Sequence, residues 1–328
     1  MNIQLQPLST DDLSFCATLV GQAGWNQVDE DWKRLMELDP EGCFLVKMDG
    51  HQVGTISSTR FLTDARCSGP NVAWISMVLV HEKFRGLGIG REMFARVMEK
   101  LKTDNIDTIR LDATRMGFHI YSKFGFEEEY QLVRMVRTPS VAATRGFPDN
   151  TLATNVNDQI DAAQLAHLDC QITATNRIPL IQSLIRTGHV IQTNAVPDSD
   201  GAFPTPVVGG PASGTENTES GGSGIGAPVP RDDNISAYLA FRPGRTGWQI
   251  GPCIVRDEKS GLSLLQTTLR YLAHEKIIID IPLENATVIQ WARENKFVEQ
   301  RRFIRMFHGH KIDDSPSHIM ASFGPEKG

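Results

Sequence analysis

The chain has 328 residues, of which 40% are hydrophobic and 22% charged, and its net charge is -6. That is the composition of a soluble globular protein with room for two ordinary domains. The acidic balance excludes a general nucleic-acid binder, which needs a basic excess, but leaves room for a local basic pocket.

The residues Met1-Asn2-Ile3-Gln4-Leu5-Gln6-Pro7 carry no basic or apolar signal region, so no secretory signal is predicted. A helix is expected over 11–23, with Ser9 or Thr10 as N-cap, and a second over 29–38, where Trp32, Leu35 and Met36 form one face before Asp39-Pro40 stops it. Strands at 43–48 and 52–61 flank the turn Asp49-Gly50. An apolar strand follows at 74–80. An amphipathic helix at 88–102 sets Ile89, Met93, Phe94, Val97 and Leu101 on one side. A strand at 108–113, a short helix at 118–123 and a strand at 126–136 complete this part. Strands and helices in alternation predict a mixed α/β sheet.

Residues 139–150 are the expected linker, and beyond them the order of features repeats. Trp74 to Met135 and Trp248 to Met306 each open on a Trp-led strand and hold a strand ending in Asp, at Asp112 and Asp280. Each closes on a Phe with Arg-Met at the same distance: Phe126 with Arg134-Met135, and Phe297 with Arg305-Met306. The reading is a first domain over 1–138 and a related second domain over 151–310. The Gly/Pro/Ser-rich stretch 197–232 is predicted to be a flexible insertion, because it has too little apolar surface to order itself. The tail 311–328 is expected to be irregular.

The five cysteines are widely spaced and odd in number. They are expected to be free thiols, small buried hydrophobes in a reducing compartment, and no metal site is expected. No stretch approaches the ~18 apolar residues of a membrane helix, so a cytoplasmic location with no membrane partner is expected.

The segment that carries chemistry is Val78-Leu79-Val80-His81-Glu82-Lys83-Phe84-Arg85-Gly86-Leu87-Gly88-Ile89-Gly90-Arg91: an apolar strand, a glycine loop and a helix start. Such a loop turns several backbone N–H groups outward at a helix N-terminus, where they and the helix dipole bind phosphate oxygens. Arg85 and Arg91 add positive charge. The glycine spacing differs from GxGxxG, and no Gly-Lys-Ser/Thr follows, so neither a dinucleotide fold nor a Walker A loop is read here.

Arg85-x-x-Gly88-x-Gly90 after an apolar strand resembles motif A of the GNAT acetyltransferases, and Tyr121-Ser122-Lys123-Phe124-Gly125-Phe126 resembles their motif B. With Gly24-Trp25-Asn26, Leu111-Asp112-Ala113-Thr114, the run 238–245 and Ile250-Gly251-Pro252, most of the chain resembles tandem-GNAT proteins of the YitH/HolE type. The resemblance implies two GNAT folds in tandem and transfer of an acetyl group from acetyl-CoA to a primary amine, on a small molecule or a peptide, by direct attack. Backbone groups of Val78, Leu79 and Val80 would pair with the pantetheine arm. Amides from Gly86 through Leu87, Gly88, Ile89 and Gly90 to Arg91 would hold the pyrophosphate. Tyr121 would act as general acid on the leaving thiolate, and Asp112 or, alternatively, Glu82 as base. Trp25 and Asn26 are candidates for lining the acceptor pocket. The acidic overall balance mildly suits a cationic acceptor.

Thr114 stands where many family members have Asn. The second domain lacks the glycine motif, has Ala292 at the Tyr position and Lys296-Phe297 in place of Gly-Phe, and keeps Asn285. It is read as degenerate. The alternative reading of the whole chain is a non-catalytic acyl-CoA sensor or scaffold.

Overall fold

The structure is a computed structural model and describes residues 2–139, 160–194, 207–209 and 235–328. The predicted linker beyond Pro139 and most of the predicted insertion lie outside the described residues. In the first half, β1 (Ile3–Pro7), α1 (Leu13–Ala23), α2 (Asp29–Leu38), β2 (Cys43–Met48) and β3 (His51–Phe61) are followed by β4 (Val72–Val80), α3 (Ile89–Thr103), β5 (Thr108–Ala113), α4 (Arg115–Ser122) and β6 (Glu127–Arg137). The second half runs α5 (Ala162–Thr173), α6 (Ile178–Thr187), β7 (His189–Asn194), β8 (Val207–Gly209), β9 (Ile235–Arg242), β10 (Trp248–Val255), α7 (Glu258–Tyr271), β11 (Ile277–Pro282), α8 (Ala286–Glu294), β12 (Val298–Gly309) and β13 (Ile319–Ala321).

Local chemistry sets these elements. Asp49 and Gly50 both have positive φ, 50° and 82°, as the tight β2–β3 hairpin requires. Thr114 and Asp257 cap α4 and α7 by accepting from the amides of Gly117 and Ser260. Ile89, Met93, Phe94, Val97, Met98 and Leu101 are buried along α3, where they pack with Ala73, Ile75, Ile109 and Leu111 from the sheet. An equivalent core under α7 joins Leu264, Leu265, Ile277, Ile279 and Val288.

The strands form one sheet in the order β1-β2-β3-β4-β5-β12-β6-β11-β10-β9-β7-β8. The closing strands are exchanged. β12 of the second half pairs with β5 of the first, and β6 of the first half pairs with β11 of the second. β6 and β12 also pair antiparallel with each other at the centre.

A guanidinium on each exchanged strand grips a carboxylate of the opposite half. Arg134 of β6 bonds Asp280 through Nε and Nη2, both at 2.7 Å. Arg305 of β12 bonds Asp112 at 2.9 and 3.0 Å. All four side chains are almost wholly buried. Two-pronged geometry is what lets such a pair offset its desolvation. The repeating Asp and Arg-Met landmarks of the sequence are therefore the two ends of these crossed pairs.

Two expectations are corrected. Cys67 and Cys170, 103 positions apart, form a disulfide that ties the segment after β3 to α5, leaving Cys16, Cys43 and Cys253 as free thiols. Spacing along the chain says little about distance in a fold whose halves interlock. The end of the tail is also ordered, and mostly buried from Ile319 on. β10 and β11 pair in parallel over Trp248–Ile250 and Ile277–Ile279, then part. β13 enters the gap, pairing Cys253 with Ala321 and Ile254 with Ile319, while the Ser322 amide donates to the Asp280 carbonyl at 2.8 Å. Met320 lies against Gly261 of α7, where an added Cβ would meet its sulfur at 2.1 Å. Phe323, Glu326 and Lys327 continue into the interior.

Removing one end of a crossed pair strands a buried charge. Arg134→Ala is expected to lower stability by about 3–5 kcal/mol in urea unfolding, whereas the double variant with Asp280→Ala loses less than the two single losses summed; additive losses would show that the pair is not a unit.

Among the described residues, Lys327 Nζ is buried without a hydrogen-bond acceptor, 4.7 Å from the Phe323 ring centre. Burial pushes its pKa down to about 7, against the pull of Glu326 and Asp31. Between about pH 7 and pH 10 the unfolded lysine then holds a proton that the folded one releases, so this residue makes stability rise with pH across that window. Lys327→Met is expected to be more stable than the parent at neutral pH, with the gap closing toward pH 10. A constant difference in melting temperature across that range would contradict this.

Candidate active site

β4 and β5 pair in parallel only over Val72–Trp74 and Thr108–Arg110. Beyond Trp74, β4 has no strand on its β5 side, and the gap opens toward the C-terminal ends of both. The departure coincides with a bulge in β4, where Met77 has φ 52° and the register against β3 shifts. Thr55 Oγ1 donates to the Met77 carbonyl at 3.0 Å, and Ser57 Oγ to that of Ser76 at 3.2 Å, which fixes the bulge from the β3 side. The bulge changes the strand's phase. Ala73 and Ile75 face the α3 core before it, and Val78 and Val80 after it. Leu79 faces α1 and α2.

The chain then turns through Arg85–Arg91. Gly86 and Gly88 have φ +81° and +79°, which a side chain would strain, and an added Cβ at either would meet nothing within 4 Å. Gly90, in the first turn of α3, lies beside Val80, whose Cγ2 would be 3.7 Å from a Cβ added there. Among the described residues, no backbone carbonyl accepts from the amides of residues 86 to 91. The loop therefore presents unpaired donors at a helix N-terminus, with open space beside them. Arg85 reaches back, its Nε donating to the Val80 carbonyl at 3.0 Å, and Leu87 is half exposed.

Loop and open strand edge share a cleft of about 1230 Å³. Val78, Leu79, Val80, Arg85, Gly86, Gly88, Ile89, Gly90, Arg91, Asp112, Tyr121 and Trp25 all line it. Tyr121 packs on Phe94, ring centres 4.9 Å apart. Burial pushes its hydroxyl up to about 12, so it keeps its proton through the neutral range and is a weaker acid than an exposed tyrosine.

Three candidate residues stand differently from their sequence reading. Both carboxylate oxygens of Asp112 accept from Arg305, which also donates to the Tyr130 hydroxyl at 2.6 Å and to Ser322 Oγ at 3.1 Å. Asn26 is not in the cleft. Its side chain accepts from the Thr246 amide and hydroxyl and donates to the Gly247 carbonyl, clamping the β9–β10 turn. Glu82 is exposed and outside the cleft, its amide held by Gln22 Oε1 at 3.0 Å.

Other lining residues escaped the sequence reading. Gln27 lines the cleft with its Oε1 buried and undonated to, while its Nε2 donates to Glu326 at 2.9 Å. Glu326 and Pro325 come from the tail, and Arg134, Glu299, Arg301, Arg302 and Phe303 from the exchanged strands. The one signal available for Gln27 was its place beside Trp25-Asn26. For the others there was none, since their entry into this cleft depends on the exchange.

The profile of the GNAT acetyltransferase family matches residues 10–126, and that of a GNAT acetyltransferase domain matches residues 227–321. No curated protein matches the chain. Among solved structures, a candidate acetyltransferase from Pyrococcus horikoshii is 19% identical with a TM-score of 0.67, over 99% of this chain and 96% of its own. A tandem GNAT protein from the clavulanic acid biosynthesis pathway is 13% identical with a TM-score of 0.55, over 94% and 98%. A GCN5-related N-acetyltransferase from Sphaerobacter thermophilus is 12% identical with a TM-score of 0.52, over 95% and 98%. At these identities the likeness is one of fold. Among the described residues no helix is long and apolar enough to cross a membrane.

Proposed function

Because the chain belongs to the GNAT acetyltransferases, with two such domains in tandem, we propose that it transfers the acetyl group of acetyl-CoA to a primary amine, and that it does so in the first-half cleft alone. The observation that carries this reading is the coincidence of three features in one cleft: the open β4 edge, the unpaired amides of residues 86–91, and the Tyr121 hydroxyl.

Bound there, acetyl-CoA supplies an activated acyl group. The loop amides, with Arg85 and Arg91, hold the pyrophosphate. The β4 edge from Val78 to Val80 orients the pantetheine arm by extending the sheet. The amine attacks the thioester carbonyl directly, the C–S bond breaks with the thiolate departing beside Tyr121, and the proton lost by the attacking nitrogen reaches the sulfur through solvent, leaving an amide and a free thiol. With its pKa pushed up to about 12, Tyr121 acts by donating a hydrogen bond to the sulfur rather than by giving up its proton early.

Asp112 is assigned to the crossed pair, not to proton abstraction, because a permanently charged guanidinium occupies both of its oxygens. The other lining carboxylates, Glu299 and Glu326, are also ion-paired, to Arg302 and Arg242. With no unpaired carboxylate lining the cleft among the described residues, the acceptor reacts as the neutral amine drawn from its own acid–base equilibrium, and Gln27 Oε1 is available to accept a hydrogen bond from its N–H. The corresponding gap of the second half is filled by β13, which supports a single coenzyme site per chain.

Calorimetry is expected to find one acetyl-CoA per chain. Tyr121→Phe is expected to keep that affinity while lowering kcat about 10²-fold or more; a non-catalytic acyl-CoA sensor would be indifferent to the change. The logarithm of kcat/KM should rise with pH toward the pKa of the amine used, moving with it from one acceptor to another. A fixed midpoint near the carboxylate range would restore an acidic side chain as base.

A further inference from the structure

The charge lining the cleft is opposite to that of the chain. Six arginines line it, Arg85, Arg91, Arg115, Arg134, Arg301 and Arg302, against three carboxylates, each of which is already ion-paired. Arg85 and Arg91 belong to the glycine loop, and Arg115 is exposed at the start of α4. Arg134 is held by Asp280 and Arg302 by Glu299.

Arg301 is different. It is half-buried, lines the cleft, and among the described residues makes no hydrogen bond or direct ion pair, its nearest opposite charge being the Asp280 that Arg134 already grips. In the sheet it stands directly across from Arg134, so two guanidiniums share one cross-strand position with a single carboxylate, Asp280. Like charges opposed in this way repel, and burial adds to the cost. The related latch at Arg305 has no such surplus: Tyr130, Trp74 and Ser322 close around it. Period-2 alternation puts Arg301, Phe303 and Arg305 on one face of β12, and Ile304 and Met306 on the face of the α3 core. Arg301 is thus on the opposite face from α3 and Tyr121, with the Asp112 pair. Two strand positions separate β12 from β4, about 10 Å at ordinary strand spacing and more where β4 and β5 diverge, which removes Arg301 from the glycine loop.

We propose that Arg301 is the anion-recognition residue of the acceptor site, and that the acceptor is an amine bearing an oxyanion, a carboxylate or a phosphate ester. A guanidinium matches either with a two-pronged hydrogen bond, and an oxyanion between Arg301 and Arg134 relieves their repulsion. This replaces the cationic acceptor inferred from overall charge, and it rests on the acyl-transfer reading.

Two measurements test it. Thiol release from acetyl-CoA is followed with matched acceptors: the common amino acids against their decarboxylated amines, and ethanolamine phosphate against ethanolamine. The anionic member of at least one series is expected to be preferred, the better series telling carboxylate from phosphate. Arg301→Ala should raise its KM about 10- to 100-fold, with partial recovery in Arg301→Lys and unchanged acetyl-CoA affinity. Separately, acetate and inorganic phosphate are titrated calorimetrically into the CoA-saturated protein and its Arg301→Ala variant; binding to the parent only is expected. The proposal is overturned if anion-free amines serve equally well, if the variant binds anions like the parent, or if it loses acetyl-CoA affinity instead, which would put the anion on the coenzyme. Anion binding that depends on Arg301 without any turnover would sink the acyl-transfer reading and leave the anion site standing.

Discussion

Two buried ion pairs, crossed between the halves, hold this architecture together. Arg134 reaches Asp280 and Arg305 reaches Asp112, each through two hydrogen bonds and each out of water. A buried guanidinium left unpaired would be severely penalised, so these pairs discriminate strongly against any register in which the closing strands stay at home or slip by one residue. Their contribution is to specificity of pairing, while the apolar clusters under α3 and α7 supply most of the attraction.

The same pairs decide the chemistry available in the cleft. A carboxylate at the end of the strand after the glycine-loop helix α3 reads naturally as a base. Asp280 argues otherwise: it occupies the matching place in a half without the glycine motif or the tyrosine, and makes the matching bond. The repeated residue is therefore explained by what both halves need, which is closure of the sheet. What only the first half has is the glycine loop, Tyr121 and a gap that no strand fills.

Much of the first half was legible because its signals are local. The borders of α2, β2 and β5 follow from apolar periodicity, the Asp39-Pro40 stop and the Asp49-Gly50 turn, and the glycine loop announced itself by spacing alone. The exchange was not legible, because β6 and β12 have similar patterns and either would satisfy either edge. Nor was the disulfide, whose cysteines meet only once the halves interlock, or β13, a three-residue strand among Gly, Pro and Ser. Asn26 stands beside Trp25 in the chain but bonds the other half, and nothing in the sequence marks Arg301, because its entry into the cleft depends on the exchange.

The interlocking of closing strands has a consequence for the independence of the two halves. Neither half owns the strand that seals its own sheet, so neither can be removed without leaving the other's sheet open. The second half, whose own gap is occupied by β13, lends β12 to the first, and with it every side chain that strand brings to its neighbour's cleft. Substitutions on β12 therefore alter the lining of a cleft whose glycine loop belongs to the other half, so each half shapes a surface that it does not itself enclose.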